Sequence, residues 1–346
     1  MKSLKDISWQ VTEPEYRADK ALSYSTLSSY ERGGRFESLP TLFDRKESPS
    51  LLLGSCVDTL ITGSREEFDS LYFVGDFDCP DSVQTVVKAL FEAFKDTYDS
   101  LESIPNTLVT GISDQLKYQL NWKPETRAKV LKEKGADYYN LLFLSKDKKL
   151  VSSEMYADAL RMEEALRTAK STSYLFALNN PFDESIQRFY QLKFKGNIDG
   201  IDFRFMADEI IVLHEKKLIL PIDLKTSGKP EYNFYKSFLE WRYDLQAKLY
   251  SAILEQNIKK DDYFKDFTIL PYIFAVVNKK TLTPLCWEYE DNLKYREDFV
   301  VDGVTYRNPI SIAKELTEYL KNPVSVPTGI SLTSPNNLLK WINNGN

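Results

Sequence analysis

The pattern of the chain changes near Glu184, and that change constrains the fold more than any other feature. Beyond it, Ile186 to Phe194, Ile198 to Phe205, Asp208 to Leu213 and Leu218 to Lys225 read as successive strands joined by short turns. Before it, Asp81 to about Leu178 reads as mainly helical. Val86, Val87, Leu90, Phe91, Phe94 and Tyr98 recur at helical spacing, and Glu154 to Thr168 makes a second strong helix. After the strands a helix runs from about Phe234 to Glu255, with Phe234, Phe238, Trp241, Leu245 and Leu249 on one apolar stripe. Phe267 to Val277 and Pro284 to Tyr289 read as further strands, and Ser311 to Lys321 as a closing helix. Upstream, Leu22 to Tyr30 reads as a short helix that Ser23 or Ser25 could cap. Ser50 to Leu60 reads as a mostly buried helix in which Asp58 is the anomaly, a carboxylate amid apolar neighbours. The expected class is α/β, a mixed β-sheet flanked by helices with a helical insertion before it. A chain of 346 residues has the length of about two average domains or of one elaborated domain.

Composition narrows the chemistry. The only histidine, His214, lies in His214-Glu215-Lys216-Lys217, which reads as a solvated polar turn. Ser-His-Asp or Cys-His catalysis would have to run through it. Cys56, Cys79 and Cys286 are far apart and odd in number. They form neither a CxxC metal site nor a disulfide framework, and they suit a reducing cytosol. Carboxylates, lysine and a hard metal are the tools that remain. No stretch approaches the ~20 apolar residues of a membrane span, and Met1 to Asp6 lacks the apolar core of a secretory signal. A cytoplasmic location is therefore expected, with no membrane partner.

The informative segment is Met206 to Thr226. A four-residue turn over His214 to Lys217 puts Leu213 opposite Leu218 and Asp208 opposite Asp223. Directly opposed Cβ atoms lie about 4.5–5.5 Å apart, and like charges so placed are destabilising. Two such carboxylates share a proton or attract a cation. Lys225 shares the face of Asp223 by the period of two. Oxygen ligands suit Mg²⁺ or Mn²⁺, held by one or two carboxylates with substrate phosphate. The bland alternative is an exposed hairpin whose Asp-Leu-Lys pattern is its wet face, and Pro221 points to an edge strand or a bulge. On the following helix Arg242, Gln246 and Tyr250 fall at i, i+4 and i+8. They could present a guanidinium, an amide and a phenol to a phosphate backbone, or they are the wet side of an amphipathic helix. Ser113 to Lys134 carries six basic against three acidic residues, Lys123, Arg127 and Lys129 among the basic ones. It is a phosphate-contacting surface or a solvated helical face.

Taken in order, these motifs resemble the PD-(D/E)XK nuclease superfamily, in particular its phage-type and RecB-like exonucleases. Met206-Ala207-Asp208 resembles the "PD" position with alanine for proline, Asp223-Leu224-Lys225-Thr226 the D-x-K-T strand, and Gln246-Ala247-Lys248-Leu249-Tyr250 the Q-x-x-x-Y helix. Leu22-Ser23-Tyr24-Ser25-Thr26-Leu27 resembles the S-x-S-x-L element. Gly54-Ser55-Cys56-Val57-Asp58 resembles the G-s-x-x-H helix, with Asp58 where the family has a metal-binding histidine. The resemblance spans about residues 22 to 255. It implies a restriction-endonuclease-like core in one elaborated nuclease domain over 1–346. Residues 22–66 would be its N-terminal helices, 81–180 its helical insertion and 184–322 its sheet core.

The same resemblance implies a Mg²⁺-dependent exodeoxyribonuclease, with Mn²⁺ able to substitute. Asp208, Asp223 and Lys225 would be catalytic, and Asp58, Asp208, Asp223 and the Leu224 carbonyl metal-binding. Arg242, Gln246 and Tyr250, with Lys123, Arg127 and Lys129, would contact DNA. Linear double-stranded ends, a single-strand annealing protein and a ring-shaped homo-oligomer are the implied partners, and the location is the bacterial host cytoplasm if the chain is phage-encoded. The rival readings are an endonuclease of the same fold and a catalytically degenerate member that binds nucleic acid or protein. The net charge of -6 leaves room for a narrow basic channel on an acidic exterior.

Overall fold

A computed structural model describes the chain except for residues 34–38, 40, 44–47, 147, 181, 183, 322–328, 332–339 and 343–346, and except for the side chains of 329–331 and 340–342. The chain forms two compact units, Met1–Glu47 with Ala165–Asn346, and Ser48–Glu164. The first holds the large sheet and is called the sheet unit; the second is the helical unit.

The sheet unit opens with α1 (Glu13–Ala18), started by a Thr12–Glu15 capping box, and α2 (Tyr24–Arg32). Ser23 occupies the N-cap of α2 as expected, but its hydroxyl bonds Ser25 and Thr26 rather than a helix N–H. The helical unit follows. It comprises α3 (Pro49–Thr62), α4 (Arg65–Leu71), β1 (Tyr72–Val74), α5 (Asp81–Phe94), α6 (Asn106–Gln115), α7 (Pro124–Ser145) and β2 (Lys149–Val151), and the chain leaves it within α8 (Ser153–Thr168). Val83, Val87, Leu90, Leu131 and Tyr139 anchor its core. Gly135 is needed there, because a β-carbon would stand 2.5 Å from the Val87 side chain where α7 meets α5. The inserted unit thus begins at Ser48, not at Asp81. Phe68 stacks on Tyr72 at 4.6 Å and lies 5.1 Å from Tyr156, which ties α4, β1 and α8 together.

The sheet unit resumes with β3 (Ile186–Ile198), β4 (Ile201–Leu213), β5 (Leu218–Thr226), α9 (Phe234–Trp241) and α10 (Tyr243–Ile258). It continues with β6 (Thr268–Ile269), β7 (Tyr272–Val277), β8 (Leu285–Tyr289), β9 (Phe299–Val301), β10 (Val304–Tyr306) and α11 (Pro309–Lys321), then β11 (Gly329–Ser331) and β12 (Lys340–Ile342). The sheet order is β3-β4-β5-β7-β8, with β6 also on β5. β5 runs parallel to β7 and the other neighbours along that order are antiparallel, so the sheet is mixed. This is the expected α/β class. Phe194, Phe203, Phe205, Leu245, Ile253 and Phe274 lead the core between the sheet and its helices. Fully burying such a side chain contributes about 1.5–3 kcal/mol.

Local chemistry explains the departures from expectation. Four strands expected over 186–225 are three, since Met206 and Ala207 continue β4. Asp199 (φ 55°) and Gly200 (φ 80°) close the β3–β4 hairpin in the left-handed pair that a two-residue turn requires. One helix expected over 234–255 is two, because Arg242 adopts φ 57° and ψ 46° between α9 and α10. The expected strand over 267–277 is divided at Leu270 and Pro271. His214 does lie in the turn but is not solvated. It is 5% exposed, with Nδ1 3.0 Å from Tyr263 Oη and Nε2 3.1 Å from Gln187 Oε1.

One irregularity positions the site. From Ile201 to Ala207 the odd-numbered residues of β4 enter the core, but beyond Asp208 the even-numbered Ile210 and Val212 do. β3 changes sides at the same level, between Phe189 and Leu192. The ladder keeps one register across the change, Tyr190 facing Glu209 and Leu192 facing Ala207. A single residue on each strand, Gln191 and Asp208, makes the switch. Gln191 takes φ 54°, a left-handed conformation that costs a non-glycine residue roughly 1–2 kcal/mol.

Candidate active site

The β4–β5 ladder has the register expected from a turn over His214 to Lys217, from Leu213 opposite Leu218 to Glu209 opposite Ile222. It stops there, one pair short of Asp208 and Asp223. β5 runs on along β7 alone, with Asp223 beside Phe274 and Lys225 beside Val276. β4 and β5 therefore fork at the two aspartates. The Leu224 N–H donates to Asp208 Oδ2 at 2.9 Å, so the carboxylate satisfies a strand amide across the fork.

Asp223 is 2% exposed. Gln246 Nε2, from α10, donates to its Oδ1. Lys225 Nζ lies 2.5 Å from its Oδ2 and 4.6 Å from the centre of the Tyr243 ring. Burial opposes the charge on Lys225, but Asp223, then Tyr243 and Asp208, outweigh it and its pKa is raised. The ammonium is thus held charged, as a donor with no acceptor capacity. Three buried phenols lie near enough to Asp223 to feel its charge. Burial first, then charges that include Asp223, hold the Tyr24, Tyr250 and Tyr272 hydroxyls well above their ordinary pKa of 10. They are neutral groups able to donate hydrogen bonds.

The arrangement brings Asp208, Asp223, Lys225 and Gln246 together, with Leu224 joined to Asp208 through its N–H. Other expectations need correction. Arg242 does not share a polar stripe with Gln246 and Tyr250. Its guanidinium is buried, donating to both Asp244 oxygens at 2.9 and 3.0 Å and to the Arg307 carbonyl at 2.5 Å. Its left-handed backbone turns that side chain into the corner. Tyr250 is a core residue, 9% exposed and stacked on Phe205 at 4.6 Å, so it presents no open phenol. In the helical unit Arg127 is also buried, bonded to Asp114 Oδ1 at 2.5 Å. Lys123 and Lys129 are exposed, Lys129 within 3.7 Å of Glu133. Asp58 lies on α3 of the helical unit, half-buried, near enough to the Tyr72 phenol to raise its pKa alongside the larger effect of burial.

Sequence reasoning missed Tyr243 and Tyr272. Tyr272 lay inside an apolar run that reads as plain core, and Tyr243 follows a helix break that nothing in the composition signals. Tyr24 lies within Leu22 to Leu27, where Ser23, Ser25 and Leu27 carry the resemblance to S-x-S-x-L.

Among the described residues no group of three or more His, Cys, Asp or Glu side chains converges in a metal-binding arrangement. Asp208 accepts from the residue next to Asp223 and both carboxylates act on Lys225, so the acceptors at the fork are oxygens, and Gln246 Oε1 there is buried without a hydrogen-bond partner. Such a donor set fits Mg²⁺ or Mn²⁺ held with water and substrate oxygens, and does not fit a soft metal. No described helix is long and apolar enough to cross a membrane.

No protein-family model and no curated protein sequence matches the chain. Among solved structures, that of a candidate exonuclease from Eubacterium rectale is similar over 90% of this chain and 83% of that one, with a TM-score of 0.40 and 13% identity. That likeness is too distant to bear on fold or function.

Proposed function

We propose that the protein is a metal-dependent deoxyribonuclease that hydrolyses phosphodiester bonds at linear double-stranded DNA ends. The observation that carries this reading is the fork, where a charged Lys225 pairs with Asp223 and feels Asp208, whose carboxylate takes the N–H of the intervening Leu224. Lys225 answers the charge of Asp223, and a bound metal ion would answer that of both carboxylates together. An ammonium that stays charged beside them suits an anionic substrate.

Asp208 and Asp223 would hold Mg²⁺, with the Leu224 carbonyl as a further ligand. The ion would lower the pKa of a bound water and offset charge on the phosphoryl group. Lys225 cannot take a proton from the attacking water, since an ammonium only donates. Its role is to orient that water and to stabilise charge on the non-bridging oxygens. Gln246 holds Asp223 Oδ1 and so fixes the carboxylate that faces the phosphate. In the reaction the water oxygen bonds to phosphorus and gives up a proton to solvent, the ester P–O bond breaks, and the leaving oxygen takes up a proton from solvent.

The motif resemblance adds finer proposals. Asp58 would be another metal ligand, Lys123 and Lys129 would contact phosphates, and a ring-shaped oligomer and a single-strand annealing protein would be partners in the cytoplasm. The sheet unit supports the reading without them.

Linear and covalently closed duplex DNA incubated with Mg²⁺, Mn²⁺ or EDTA test it. Linear DNA should shorten with either metal and not with EDTA, and closed circles should persist. Cleaved circles would replace the exonuclease with an endonuclease. Intact linear DNA under every condition would remove the enzyme. Metal titration of Asp208→Asn and Asp58→Asn assigns the ligands, and an unchanged titration for Asp58→Asn excludes that residue.

A further inference from the structure

Trp241, the last residue of α9, is 42% exposed. Its backbone is also anchored. Its carbonyl accepts from Tyr24 Oη at 2.8 Å and from Ser28 Oγ at 2.9 Å, both on α2. The Arg32 guanidinium, at the end of α2, lies 3.8 Å from the indole centre. The pair leads directly to the fork. Tyr24 stands 6.0 Å from Tyr243, ring centre to ring centre; Lys225 Nζ lies 4.6 Å from the Tyr243 ring and 2.5 Å from Asp223. Two aromatic rings thus connect the Trp241–Arg32 stack with the carboxylates.

We propose that Trp241, with Arg32 stacked on it, is a shelf for an unpaired nucleobase of the strand whose phosphate lies at Asp208, Asp223 and Lys225. The proposal rests on the nuclease reading and narrows its substrate to a strand whose bases are unstacked near the site. Indole and guanidinium planes both accept a base by stacking, whatever its identity. The two hydrogen bonds fix the backbone beneath the shelf and Arg32 already lies over the indole, so less freedom remains to be lost on binding. Arg32 also supplies a positive charge beside the shelf for a neighbouring phosphate. The face therefore combines an aromatic plane with a cation, as single-strand binding requires.

The test is equilibrium binding of a labelled oligo-dT in EDTA, so that no cleavage intervenes, to the full chain and its Trp241→Ala and Trp241→Phe variants. Base–aromatic stacking is worth about 1–3 kcal/mol per base, so Trp241→Ala should weaken binding by roughly 5- to 150-fold. Trp241→Phe should lose less, which also guards against misfolding as the cause. The salt dependence of binding should be unchanged in both, because no phosphate contact is removed. An abasic residue moved along the oligonucleotide should reproduce the loss at one position in wild type and add nothing there in Trp241→Ala. Wild-type affinity in Trp241→Ala, or a loss independent of the abasic position, overturns the shelf. If linear DNA is still cleaved in that case, the nuclease reading stands alone. If oligonucleotides bind through Trp241 but no DNA is cleaved, the shelf stands and the nuclease reading falls. If wild type binds no oligonucleotide, the shelf falls with it.

Discussion

Asp208 and Glu209 are neighbours on β4 with opposite surroundings. Asp208 is half-buried and bonded across the fork, whereas Glu209 is 1% exposed, with the Tyr190 phenol beside its carboxyl. Burial pushes the Glu209 pKa from 4.5 up to about 8, although Arg188, a hydrogen bond from Tyr190 and Arg167 pull it down. The unfolded chain releases this proton near 4.5 and the folded chain near 8. The contribution to stability is therefore complete below pH 4.5 and is lost as pH rises towards 8. Glu209→Gln should stabilise the protein at pH 8, by an amount on the order of a few kcal/mol, and change little at pH 4. Urea midpoints at both pH values check this, and equal gains at the two would show that the carboxyl is not held neutral. The alternation of a strand was enough to assign Asp208, and not Glu209, to the face of Asp223. It was not enough to reveal the change of sides at Gln191 and Asp208. That change comes from tertiary packing of two strands at once, and no glycine marks it.

At the scale of elements, the β4–β5 hairpin was legible because a polar four-residue turn sets the register and the register sets which residues face each other. The α9–α10 corner was not legible. Trp241-Arg242-Tyr243 contains no glycine, proline or asparagine to announce a break, and the apolar stripe runs through it. Its left-handed backbone is accompanied by one local and two distant partners: Arg242 pairs with Asp244, lies 3.6 Å from Glu31 and donates to the Arg307 carbonyl. That corner directs Tyr243 at Lys225 and Gln246 at Asp223, so it matters to the site although Arg242 contacts no substrate. Arg242→Ala strips the fully buried Asp244 carboxylate of its paired guanidinium and should cost about 3–5 kcal/mol. Arg242→Gly removes the same pair but relaxes the left-handed φ, and should be milder by about 1 kcal/mol. Adding Asp244→Ala to Arg242→Ala should recover part of the loss. Chemical denaturation of the three variants measures these differences. Equal costs for Ala and Gly would mean that the backbone there is unstrained.

At the scale of the molecule, periodicity alone separated a helical segment from a sheet segment and predicted a mixed sheet, which is what the chain forms. The boundary between them was misjudged. α3 carries the Gly54-to-Asp58 motif and was expected in the nuclease core, but its packing partner is α4, within the helical unit. A mostly apolar helix does not say which core it enters. The basic segment shows the same limit: charge counting could not tell Arg127, which is buried on Asp114, from the exposed Lys123. What the account rests on lies within the sheet unit, where two aspartates and a lysine meet at the fork. Single-turnover cleavage of an end-labelled linear duplex with Mg²⁺ tests that claim most directly, on wild type, Lys225→Ala and Asp223→Asn, with a metal titration of each. Wild type should cleave. Lys225→Ala should cleave about 10²–10³ more slowly while binding metal normally, and Asp223→Asn should lose metal binding and cleavage together. Cleavage at the wild-type rate by both variants, or none by wild type, would contradict the account.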